Sequence, residues 1–175
     1  MFDRNKPFDI RAFRRKFNRA LKQNYFYQSR EWNYKNIEPK IIAEEVLTDD
    51  MGPLVDYKFM CFGGEVKLLF CELEVAKVDG THNPNSKRNV YDRNFKLLDI
   101  TFGRERFDPS KVARPENFLK MVEYAEILSK PFANCRVDFY NINGEVYFGK
   151  ITFYHGGARQ RISHVNRKKY NAPMK

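Results

Sequence analysis

Two runs of alternating apolar residues, 55–62 and 65–75, meet at Gly63-Gly64. A two-residue Gly-Gly link between such runs signals a β-hairpin. The primed turn that joins twisted strands needs positive φ, which glycine adopts without steric cost. A second hairpin is predicted at 136–140 and 145–153, around the turn Asn141-Ile142-Asn143-Gly144. Shorter strands are expected at 41–47, 90–91 and 95–100, and loops at 24–39, 48–53 and 79–89. Helical spacing occurs twice. Over 9–26, Asp9 is placed to cap, Phe8 to staple onto Phe13, and Ile10, Phe13, Phe17 and Leu21 share a stripe. Between Pro115 and Pro131, Phe118, Met121, Val122, Ala125 and Leu128 share another. The class is α+β with a largely antiparallel sheet.

Apolar residues make up 42 % of the 175, enough for a packed core. The net charge of +10 suits an anionic partner such as nucleotide phosphate, nucleic acid, an acidic glycan or a membrane face. The first helix carries Arg11, Arg14, Arg15, Lys16, Arg19 and Lys22 off its apolar stripe, and 158–175 reads as a basic tail. Cys61, Cys71 and Cys135 lie in apolar runs without a CxxC pair, which points to reduced thiols, no zinc and a cytoplasmic setting. No apolar run reaches the roughly 20 residues needed to span a bilayer, so any membrane association is expected to be peripheral.

Three segments carry candidate chemistry. The backbone of Glu44-Glu45-Val46-Leu47 precedes a linker and offers a carbonyl and an N–H to a purine edge. Asp56 and Lys58, two residues apart on one strand, share a face. The carboxylate suits ribose hydroxyls and the ammonium suits phosphate oxygens. Arg136 and Asp138 face the Lys150–Thr152 region across the second hairpin, and acidic groups on paired strands commonly hold Mg²⁺ beside phosphates.

Taken in order, REWNYKNIEPKIIAEEVL, DYKFMCFGGEV, KRNVYDRNFKLL and RVDFYNINGEVYFG…ITFYHG resemble the TupA-like ATP-grasp family over roughly 8–157. That family is associated with teichuronopeptide and other surface-polysaccharide synthesis. Its fold clamps ATP between two α+β lobes and activates a carboxylate as an acyl phosphate. The resemblance implies a remnant of the small lobe at 1–47, the C-terminal lobe at 48–157, and a tail beyond. It implies ATP and Mg²⁺ as cofactors, with a carboxylate- or sugar-containing polymer precursor as substrate. The adenine hinge would be Glu44 to Leu47, with Glu45 and Leu47 giving backbone groups. Asp56 would meet the ribose, and Lys58 the phosphates or substrate. Arg88 and Asn89 would lie near the reacting groups, and Arg136 and Asp138 would form the Arg-x-Asp of the metal-binding strand.

The sequence departs from that pattern in three places. The glycine-rich phosphate loop belongs upstream of the matched part, Lys150 stands where the family has a second metal carboxylate, and the similarity fades after Gly157. A unit charge about 4 Å from a divalent ion is worth roughly 8 kcal/mol at an effective dielectric of about 20, so a sign reversal at 150 weighs heavily. Lys150 is also placed to pair with Asp138 where the metal would sit. The expectation is a truncated ligase-type fragment, inactive or impaired by itself, whose missing lobe would come from a separate chain. Two other classes remain. One is a basic glycan- or nucleic-acid-binding module, with Trp32, Tyr25 and Tyr27 to stack on bases or sugars. The other is a glycosyltransferase-associated protein, although no Asp-x-Asp motif is present.

Overall fold

The computed structural model describes residues 9–44, 47–48, 54–77, 81–160 and 162–164. The chain divides into two units, 1–47 and 48–175.

In the first unit, helix α1 spans Ile10–Leu21. Asp9 caps it, its Oδ1 accepting from the backbone N–H of Arg11 at 2.9 Å and of Ala12 at 3.0 Å. Phe8, the other half of the expected staple, lies outside the described residues. The helix predicted to run to 26 stops at Leu21. Asn24 is extended (φ −95°, ψ 120°), and its side chain accepts from Phe26 N–H to start helix α2, Tyr25–Ser29. Asparagine competes for backbone partners within a helix and favours its ends, which splits the expected element in two. A 3₁₀ turn follows at Trp32–Tyr34. The strand expected over 41–47 is not formed at 41–44 or 47, and 45–46 lie outside the described residues. Ile42 is 80 % exposed. The described residues of this unit contain no strand for an apolar run to pair with.

In the second unit the strands are β1 (Asp56–Phe62), β2 (Glu65–Leu73), β3 (Lys87–Tyr91), β4 (Ile100–Phe102), β5 (Asn134–Ile142), β6 (Glu145–Thr152) and β7 (Ile162–His164), with helix α3 at Phe118–Ser129. Five of them form an antiparallel sheet in the order β3-β2-β1-β5-β6, and β4 pairs with β7. The fold is α+β, as expected. Gly63 (φ 60°) and Gly64 (φ 80°) make the first turn. The second hairpin is tighter than predicted. Asn143 (φ 51°) and Gly144 (φ 81°) turn alone, and β5 runs on to Ile142. Asparagine tolerates the left-handed region, which frees Asn141 and Ile142 for the strand.

Three further expectations shift. Strand β3 begins at Lys87, inside the expected loop, because pairing of Leu73 with Lys87 and Glu72 with Arg88 extends it. The strand expected at 95–100 is absent. Residues 93–95 turn, with Phe95 at φ 66°, Leu97 makes a single bridge back to Tyr91, and a strand forms again only at β4. The expected tail supplies β7, while 161 and 165–175 lie outside the described residues.

Alternation divides the sheet into two unlike faces. Phe59, Cys61, Leu69, Cys71, Val137 and Phe139 face α3, whose Phe118, Met121, Val122 and Ala125 complete the core. Phe59 lies between Phe118 (6.1 Å between ring centroids) and Phe139 (5.7 Å). Each such side chain stabilises the fold by roughly 1.5–3 kcal/mol on burial. Leu128, expected on the same stripe, is exposed, and Ser129 is buried instead.

Candidate functional site

The opposite face of the sheet is charged and also buried. Strand register places Arg88, Glu72 and Asp56 in one row across β3, β2 and β1. The next row runs Val90, Phe70, Lys58, Asp138 and Lys150, out to β6. Asp56, Lys58, Glu72, Arg88, Arg136 and Asp138 are each 8 % exposed or less. Buried charges persist only when paired, and these form a network.

Glu72 is its centre. Lys58 Nζ lies 3.0 Å from Glu72 Oε2 and also bonds Asp56. Arg88 Nε donates to Glu72 Oε1 at 2.5 Å, and Arg104 donates to Oε2 at 3.0 Å. Burial pushes the Glu72 carboxyl up, but Lys58, Arg88 and Arg104 together hold it below its ordinary value. Arg88 further donates to the Phe102 carbonyl and to Gln160 Oε1, and its guanidinium stacks on Phe70 at 4.8 Å.

Arg136 forms the second knot. Its Nε and one terminal nitrogen grip the two oxygens of Asp138 at 2.6 and 2.7 Å, the bidentate geometry that matches guanidinium to carboxylate. It also donates to Thr152 Oγ1 at 3.1 Å and to His155 Nδ1. A guanidinium cannot accept, so Nδ1 is the acceptor and His155 is neutral. Burial first, then the charges of Arg136 and Arg88, push His155 down to about 4. With its accepting nitrogen engaged, His155 orients Arg136 and offers no free base. Burial raises Asp138 above its ordinary value against the opposing pull of Arg136. Beside this knot lies a cavity of about 300 Å³, lined by Met60, Phe62, Phe102, Arg136, Thr152 and His155 among others.

Lys58 and Asp138 are direct neighbours on paired strands, and Asp56 sits one position along. Arg88 joins them, whereas Asn89 does not. Alternation sends Asn89 to the α3 face, where its Nδ2 donates to the Phe107 carbonyl at 3.1 Å. Lys150 sits opposite Asp138 in register but is exposed, and Asp138 is held by Arg136 rather than by Lys150. Glu44 is exposed and Leu47 half-buried, both in the first unit, while Glu45 lies outside the described residues. Sequence reasoning did not reach Glu72, Arg104, His155 or Gln160. A single carboxylate inside the apolar run LLFCEL was the available signal for Glu72.

The described residues do not make a site for Mg²⁺. Among the described residues no group of three His, Cys, Asp or Glu is arranged to hold a metal ion. Both oxygens of Asp138 are committed to Arg136, and Mg²⁺ demands near-octahedral oxygen ligation. An organic anion fits better. Lys58, Arg88, Arg104 and Arg136 face three carboxylates, Asp56, Glu72 and Asp138, leaving one positive charge in excess. Asp56 Oδ1 is buried without a hydrogen-bond partner, a vacancy that a hydroxyl donor would satisfy.

A family model described as TupA-like ATPgrasp matches residues 1–170. The chain belongs to the TupA-like ATP-grasp family. No match was found among curated proteins or among solved structures. In this TupA-like ATP-grasp protein, the charged face is built from β1, β2, β3 and β5, with Phe102 at the end of β4 and Arg104, His155 and Gln160 brought onto it by the connecting segments. No helix among the described residues is long and apolar enough to cross a membrane.

Proposed function

We propose that this chain supplies a nucleotide-facing lobe of an ATP-grasp, ligase-type protein in surface-polysaccharide biosynthesis of the teichuronopeptide kind. The observation that carries the reading is the pair of neighbouring rows of buried charges around Glu72 and Asp138, on the sheet face away from α3. The orphaned Asp56 Oδ1 supports a ribose hydroxyl there, and the excess positive charge supports phosphate. Lys58, Arg88 and Arg136 meet the phosphates or the substrate in this reading. The substrate is a polymer precursor carrying a carboxylate or a sugar, and the cavity beside Arg136 is its entry point. The three buried, free thiols support a reducing, cytoplasmic setting.

Turnover by this chain alone is not part of the reading. Asp138 is committed to Arg136, Lys150 stands in register opposite, and the glycines among the described residues serve turns and a bulge rather than a phosphate loop. In this reading a separate chain carries that loop.

Calorimetric titration with ATP, with and without Mg²⁺, tests the proposal. Wild type is expected to bind ATP weakly and without Mg²⁺ dependence, Asp56→Ala to bind more weakly still, and Lys150→Glu to acquire a modest Mg²⁺ dependence. Phosphate release stays at background in all three. Tight Mg²⁺-dependent binding by wild type, or indifference to Asp56→Ala, would defeat it.

A further inference from the structure

Helix α1 is an amphipathic element that buries none of its residues. It carries Arg11, Arg14, Arg15, Lys16 and Arg19, with Lys22 as its cap residue, and its one acidic neighbour is the capping Asp9. Projected at 100° per residue, Ile10, Phe17 and Leu21 fall within about 40° of one another. Phe13 lies beside them, stacked on Phe17 with ring centroids 4.2 Å apart. Arg14 borders this stripe on one side and Lys16 lies beyond it on the other. Ile10 is 49 % exposed and Leu21 37 %. The following segment in the same unit presents Tyr25, Tyr27 and Trp32, all more than half exposed, with Lys35 Nζ 4.3 Å above the Trp32 ring.

We infer that α1 and the aromatic segment after it dock on an anionic lipid surface. The helix is about 18 Å long, far short of a roughly 30 Å hydrocarbon core, so it lies along the interface rather than crossing. An apolar stripe with basic residues at its margins buries hydrocarbon at the level of the acyl boundary. The long Arg and Lys stems bring their charges up to the headgroups. Exposed Tyr and Trp beside such a helix match the preference of these rings for the membrane–water boundary. A polyanion such as nucleic acid would use the charges but leave Ile10 and Leu21 in water, which is why lipid is the better partner. This inference stands apart from the nucleotide reading of the second unit.

The test is flotation of the full chain with vesicles of phosphatidylcholine alone, and with vesicles containing about a quarter phosphatidylserine, near 0.1 M salt. Trp32, the single tryptophan, gives a second readout through a blue shift of its emission. Wild type is expected to float only with the anionic vesicles and to show the shift. Each basic residue near such a surface contributes roughly fivefold to partitioning, so Arg14→Gln with Lys16→Gln should lower it roughly 30-fold. Ile10→Ser with Leu21→Ser should lower it roughly tenfold or more, while binding of a single-stranded oligonucleotide stays unchanged. All four positions are exposed, and far-UV circular dichroism checks that the fold persists. Three results overturn the inference: no vesicle binding, equal binding to neutral vesicles, or partitioning indifferent to the Ile10/Leu21 pair.

Discussion

Replacing Glu72 by glutamine keeps the shape of the side chain and removes the charge that three cations share. The consequences differ for each cation. Lys58 retains Asp56. The Arg104 side chain is 19 % exposed, so it can turn to water. The Arg88 side chain is 2 % exposed and meets no other carboxylate among the described residues, keeping there the Phe102 carbonyl, Gln160 Oε1 and the face of Phe70. Leaving one buried charge without its partner costs about 3–5 kcal/mol. Glu72→Gln should therefore destabilise the second unit by that amount, nearly all through Arg88. Arg104→Gln should cost less than about 1 kcal/mol, the ordinary worth of an accessible ion pair. Urea unfolding followed by circular dichroism reads both, with midpoints compared at equal slope. The pH dependence supplies a second signature. Glu72 is held below its ordinary value when folded, so its stabilisation is present above the unfolded pKa, near 4.3, and is lost as pH falls through the folded one. A loss below about 1 kcal/mol at neutral pH for Glu72→Gln would show that Arg88 escapes to solvent, and the picture of a closed charge network would fail.

His155 gives a prediction of the same sign in a higher window. Its imidazole titrates near 6.5 unfolded and about 4 folded, so the stabilisation present above pH 6.5 drains away as pH falls toward 4. His155→Phe keeps a ring between Phe70 and Phe102 and should flatten stability over that window. An unchanged profile from pH 7 to 4.5 would remove His155 from the account. Burial pushes Cys61 up to about 11 and Cys71 well above its ordinary value. A thiol-specific disulfide reagent should therefore label no cysteine in the native protein and all three after denaturation, and rapid native labelling of Cys61 or Cys71 would contradict their burial.

What the sequence made legible was short in range. Gly63-Gly64 identifies its hairpin because the turn and both strands are contiguous, and the Phe118–Met121–Val122–Ala125 stripe identifies the buried face of α3 by periodicity alone. Asp56, Lys58, Arg136 and Asp138 were legible as a group through strand parity, which fixes the face a side chain takes. Parity applied more strictly would also have separated Arg88 from Asn89. Strand β3 was missed at Lys87 because its neighbours on β2, not its own polar residues, hold it extended. The run at 41–47 misled in the opposite way, since apolar content alone does not make a strand where no partner is at hand. Glu72 meets Arg104 across 32 positions and Arg88 meets Gln160 across 72, contacts that pairing creates and local pattern does not carry.

The two-faced sheet also shapes the route by which the chain reaches it. The β1–β2 and β5–β6 hairpins close locally, but the seam between them joins Lys58 to Asp138, 80 positions apart. Such a seam forms late, after loop-closure entropy has been overcome. A slip of one residue there would turn β5 over. Arg136 and Asp138 would be driven against Phe118 and Met121, and Val137 and Phe139 would face Lys58 and Asp56. Wrong encounters thus lose apolar packing and ion pairing in the same step, so the docking of the hairpins is self-correcting, and the network around Glu72 and Asp138 proofreads the register in which the core closes.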